Sequence, residues 1–156
     1  MRREYFSLDV TNVDWVGTDA DPAKPTLTIT FEGSESTLRD QLRDADGEIL
    51  EAAETDVSFR LQGSLEDDEP AGVVAVTNRI TGDFVCELNV NAEDVFAFIT
   101  AARRYGEQTD DDARYQAIIQ IDGDSIVTYN KQTLLVYSDD GELLRQHSLI
   151  PSNVEI

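Results

Sequence analysis

His147 and Cys86 are the side chains of this sequence best suited to nucleophilic or general-base chemistry, and each is the sole residue of its type. A histidine acting as base or metal ligand needs a positioned partner within hydrogen-bond reach. The stretch Leu144-Arg145-Gln146-His147-Ser148 supplies none, so His147 is expected as an ordinary hydrogen-bonding side chain on a last strand. Cys86 alternates with Phe84 and Leu88, which predicts a small core residue rather than a nucleophile. One cysteine can form neither an internal disulfide nor a Cys-based metal site.

Carboxylates are the remaining chemistry-bearing groups, and there are too many of them to be informative as pairs. Asp139-Asp140-Gly141-Glu142 and Asp122-Gly123-Asp124 could face a hard cation, but neither has the ligand spacing of an EF-hand loop, and turn chemistry accounts for both. No GxGxxG or GxxxxGK[ST] phosphate loop occurs. No catalytic residue, metal or cofactor is therefore assigned. A non-catalytic binding or assembly module is the leading reading. A small carboxylate-dependent enzyme using Asp or Glu with His147 is the alternative. A pocket gathering His147 with two buried acids would favour the enzyme, and an apolar patch or exposed sheet edge would favour the module.

Partner-binding candidates come from residue types that stand out against the acidic background. Arg103 and Arg104 form a cation pair that is expected to close a helix, where it complements the dipole. The remaining reading, in so acidic a chain, is a site that recognises an anion or a partner. Trp15, beside an Asp- and Gly-rich loop, is read as a core lid or an interface anchor. Ile150 and Val154 lie in a partly apolar C-terminal run, where chains fray unless they dock.

The elements that must position these residues follow from apolar periodicity. Strands are expected over 5–13, 27–31 and 57–61, and a helix is read from Leu38, Leu42 and Ala45, with Ser34 or Ser36 as cap and Gly47 past its end. Residues 73–79 and 84–89 predict a hairpin around Thr81-Gly82-Asp83. The clearest helix starts at Asn91, with Asp94 in a capping-box position, Val95, Phe98, Ile99 and Ala102 as its stripe, and Gly106 past its end. Four strands should finish the chain. Residues 115–121 and 125–129 flank Asp122-Gly123, and 134–137 and 143–149 flank Asp140-Gly141.

This order predicts an α+β fold: a mixed, largely antiparallel sheet of about eight or nine strands with two helices packed on it. One domain should span 1–156. A weak internal echo, strand into capped helix, relates 27–45 to 84–102.

Charge bounds the setting. The chain carries 32 Asp and Glu against 12 Lys and Arg, a formal charge of −20, and only Lys24 and Lys131 are lysines. Disorder is excluded by 40% hydrophobic residues and twelve aromatics. An Asp-rich, Lys-poor surface reads as adaptation to concentrated salt, and it disfavours nucleic acid and anionic membranes. The basic start lacks an apolar h-region and no apolar run spans a bilayer, so cytoplasm is expected. A protein partner or self-association remains open, and Asp111→Asn is expected to relieve the Asp110-Asp111-Asp112 run at no cost.

Three segments carry a resemblance. Thr77-Asn78-Arg79-Ile80-Thr81-Gly82-Asp83-Phe84, Ala101-Ala102-Arg103-Arg104-Tyr105-Gly106 and Leu144-Arg145-Gln146-His147-Ser148-Leu149-Ile150-Pro151 resemble an uncharacterised haloarchaeal domain family, with similarity spanning nearly the whole chain. The resemblance implies a halophilic archaeal cytosol and brings no assigned activity, cofactor or catalytic residue.

Overall fold

A computed structural model describes residues 3–63, 66 and 68–150. After a 3-10 turn at Arg3–Tyr5 come β1 (Phe6–Thr11), β2 (Thr26–Phe31), α1 (Glu35–Gln41), β3 (Thr55–Leu61), β4 (Ala71–Asn78), β5 (Phe84–Asn91), α2 (Ala92–Gln108), β6 (Tyr115–Ile121), β7 (Asp124–Lys131) and β8 (Leu135–Tyr137). The strands form two four-stranded sheets, ordered β1-β2-β6-β7 and β5-β4-β3-β8. The expected α+β class holds, but the single sheet does not. Both sheets are mixed, because β2 pairs β6 and β3 pairs β8 in parallel while the other pairs are antiparallel. Parallel partners far apart in sequence leave no local turn signal, which is why the split was invisible in the chain.

The inward faces of both sheets meet in one apolar core. Alternation decides which residues face it: Val57, Phe59 and Leu61 on β3, Val74 and Val76 on β4, and Tyr115, Ala117 and Ile119 on β6 are buried. Gly72 on β4 is required by close packing, since a Cβ there would stand 2.5 Å from the Phe59 ring. Helix α2 buries the expected Val95, Phe98, Ile99 and Ala102. Its Phe98 meets Tyr115 edge-on at 5.2 Å, and Phe96 meets Phe59 at 6.0 Å, so one helix touches both sheets.

Two helix terminations differ from expectation. Asn91 does cap α2, its Oδ1 accepting from the Glu93 N–H at 2.8 Å. The helix, however, runs through Gly106 to Gln108 and ends at Thr109. Gly106 serves close approach rather than termination, because a Cβ there would meet the Arg114 side chain at 3.0 Å. Helix α1 has the expected Ser34 cap but stops at Gln41, with Leu42 as C-cap. Asp44 Oδ1 accepts from the N–H groups of Asp46 and Glu48, and Gly47 at φ +81° closes a tight turn instead of a longer helix.

The segment expected as a strand over 143–149 is broken. Leu143 and Leu149 bridge to Tyr137 and Leu134, but Arg145, Gln146 and His147 form a turn between them. The cause is Ser148. Its Oγ accepts from the Val136 N–H at 2.8 Å and donates to the Leu144 carbonyl at 2.8 Å, replacing a ladder rung. The hairpin at Asp122-Gly123 forms as expected, both residues lying at positive φ.

Candidate functional site

Once the inward faces are packed, the outward face of β5-β4-β3-β8 is left as a concave surface. Alternation turns Ser58 and Arg60 of β3, Val73 and Ala75 of β4, Glu87 of β5 and Leu135 and Tyr137 of β8 outward. A cleft of about 940 Å³ occupies one end, lined among others by Asp56, Ser58, Arg79, Lys131, Leu135 and Tyr137. A second hollow of about 320 Å³ continues past Ser58 and Tyr137, which line both, to Arg60, Val73, Ala75 and Phe84. Through these shared residues the two make one groove across the sheet, each part of a volume typical of ligand sites.

Its electrostatics invert those of the chain. Among the described residues, Arg3, Arg60, Arg79 and Lys131 line it against Asp56, Glu87 and Asp139, four cations to three carboxylates in a protein of net charge −20. Arg79 donates through Nε and Nη2 to Asp56 Oδ1 at 3.0 and 2.6 Å. Arg3 pairs with Glu87 at 3.5 Å, and Arg60 donates to the Asp139 carbonyl at 3.0 Å. Each of these side chains keeps further donors for an incoming group.

Lys131 is the most constrained of the set. It is buried, and its Nζ donates to the carbonyls of Ala52 at 2.7 Å and Thr55 at 2.6 Å. Burial pushes its pKa below the usual lysine range, Arg79 adds to that, and Asp56 opposes it. Beside it, Tyr129 donates to the Leu50 carbonyl at 2.7 Å and Tyr115 to Thr133 at 2.6 Å. The wall from Leu50 to Thr55 is therefore clamped to β7 by side-chain donors. Lys24, the other lysine, bridges Asp111 at 2.9 Å and Asn130 at 3.0 Å.

The residues singled out in the sequence are dispersed. Arg103 donates to the Ser148 carbonyl at 2.8 Å and the Gln146 carbonyl at 3.4 Å, tying α2 to the 145–148 turn. Arg104, one residue on, is exposed and lines a small hollow with Trp15, Gly17 and Gln108. Neither arginine closes α2, since the helix runs on to Gln108. Trp15 is 8% exposed and donates through Nε1 to the Asn12 carbonyl at 2.6 Å. Ile150 is half-buried, and Val154 lies outside the described residues. His147 is exposed in its turn, its ring 5.1 Å from that of Phe96. Cys86 is fully buried and burial pushes its thiol up to about 12, which suits a core side chain. Among the described residues no buried carboxylate and no group of three or more His, Cys, Asp or Glu able to hold a metal occurs.

A family model described as a family of unknown function (DUF5793) matches residues 1–156. The chain belongs to that family. Comparison with curated proteins and with solved structures returns no match. The groove of this DUF5793 chain was missed in the sequence because its residues come from β3, β4, β8 and the flanking turns. The available signal was small, apolar or basic residues at outward positions where acids prevail elsewhere, Ser58 and Arg60 on one strand and Val73 and Ala75 on the next. Among the described residues, no helix is long and apolar enough to cross a membrane.

Proposed function

We propose that this chain is a non-catalytic binding module of a salt-adapted, archaeal cytosol, and that the groove on β5-β4-β3-β8 docks an extended segment of a protein partner. The carrying observation is the groove's composition. In a chain with 32 acidic residues, this concave face presents more cations than carboxylates together with Tyr137, Leu135 and Phe84. Arginine and aromatic residues are enriched at interface cores, where Asp and Glu are depleted. Phe84 is 55% exposed, and Ile80 in the adjoining turn is 72% exposed. Large apolar side chains so placed suit anchors for a partner. The salt-adapted setting is supported by the −20 charge and by the scarcity of lysine.

The test begins with a photo-crosslinking residue at Tyr137, used in lysate at molar KCl, and a second at Thr18 as control. The crosslinked peptide is then synthesised and titrated calorimetrically against wild type and an Arg60→Glu, Phe84→Ser variant. Binding that weakens at least tenfold in the variant is expected. A peptide captured equally at both positions, or bound equally by both proteins, overturns the assignment.

A further inference from the structure

The other sheet also turns a face outward, of a different kind, open to solvent except at Thr26, which is buried. The register of β1-β2-β6-β7 sets three rows of four side chains across it. Thr26, Thr28 and Thr30 of β2 stand beside Gln116, Ile118 and Gln120 of β6 at its centre. The flanking strands add five hydroxyl or amide side chains and one carboxylate, Asp9. A chain that is 28% charged would place about three charged residues among twelve such positions, and more at a surface. Two amides are locked in place: Gln116 Nε2 donates to Thr26 Oγ1 and Gln120 Nε2 to Thr30 Oγ1, both at 3.0 Å.

From this array, with a single charge among twelve side chains, we infer that the outward face of β1-β2-β6-β7 is the contact between two copies of this chain. Two molecules of net charge −20 repel wherever carboxylates oppose, and here one carboxylate per copy does, Asp111 at the Asn130 edge being paired with Lys24. Hydroxyls and amides both donate and accept, so such a face complements itself, as a two-fold contact requires. Carboxylates can only accept. Four strands about 4.8 Å apart and about 20 Å long give roughly 400 Å² of plane per copy. The pair then buries about 800 Å² of plane, below the roughly 1,000 Å² of a stable specific interface, so it forms weakly and reversibly.

Sedimentation equilibrium of the full chain in 2 M KCl, up to millimolar concentration, should show a monomer–dimer equilibrium. Asp9→Asn removes the array's one charge and should tighten it about two- to five-fold, the size of an exposed charge effect. Asp19→Asn, the same charge change in the loop after β1, should leave it unaltered. Ile118→Glu or Thr28→Glu, whichever retains the wild-type circular dichroism, should abolish it. A wild type that stays monomeric throughout, or equal effects of Asp9→Asn and Asp19→Asn, overturns the inference.

Discussion

Lys131 holds Ala52 and Thr55 by their carbonyls, and a neutral amine still carries the two N–H groups this needs. Its folded-state pKa is lowered, so the folded chain binds fewer protons than the unfolded one across the alkaline range. Stability contributed at this site is therefore least below the folded pKa and rises with pH until the ordinary value near 10.4 is passed. Lys131→Met should cost about 1–3 kcal/mol by removing the lysine donor from the Thr55 carbonyl and one of several donors from the Ala52 carbonyl, which also accepts from the Thr55 hydroxyl. Denaturant titrations at several pH values should also find that the variant lacks the alkaline gain. Asp111 behaves oppositely, and it corrects the expectation that Asp111→Asn is free. Lys24 holds its carboxyl at about 2, with the Ala113 N–H and the Tyr105 hydroxyl helping. An asparagine could keep the last two contacts but not the attraction to Lys24. A loss of up to about 1 kcal/mol at low salt is expected, shrinking as KCl is added. In wild type that contribution is present above the ordinary carboxyl value near 3.9 and is lost as pH falls through about 2.

At the scale of elements, α2 is the piece whose position governs the core. Ile99 is 2% exposed on the face between the sheets, so Ile99→Ala should cost about 2–5 kcal/mol in a denaturant titration. Equal destabilisation by an exposed-face change such as Thr100→Ala would contradict that packing. The stripe, the Asn91 cap and the Asp122-Gly123 hairpin were legible because each is decided within a few residues by period, capping or turn chemistry. What escaped reading was decided across the chain. The β2–β6 and β3–β8 pairings split one expected sheet into two, and the Ser148 hydroxyl broke a strand pattern. Gly106 looked like a helix stop because a glycine needed for room beside Arg114 has the same letter as one needed for positive φ. The groove was illegible for the same reason as the sheets, since its walls come from strands that meet only after folding. Arg103 and Arg104 were adjacent in sequence, yet the helical period of about 100° per residue turns one toward the 145–148 turn and the other to solvent.

For the whole molecule, 32 acidic residues share 8797 Å² of surface, which puts neighbours about 17 Å apart. The Debye length is about 8 Å at 0.15 M and about 3 Å at 1 M, so mean repulsion is already weak in moderate salt. Salt then acts mainly where carboxylates crowd without a cation. The Asp139-Asp140 turn is such a place, because both residues are exposed and Arg60 reaches the Asp139 carbonyl rather than its carboxylate. Asp110 and Asp112 are another, flanking an Asp111 already engaged by Lys24. The thermal midpoint should therefore climb between 0.1 M and 2 M KCl, with most of the gain below about 1 M, where screening changes most. Asp139→Asn with Asp140→Asn should raise the low-salt midpoint and flatten the climb. The same two-charge change at Asp19 and Asp94, which are not neighbours in sequence, should do so less. A midpoint indifferent to KCl, or equal flattening by the two double variants, would mean that crowding is not what opposes folding here, and the salt-adapted reading would fall with it.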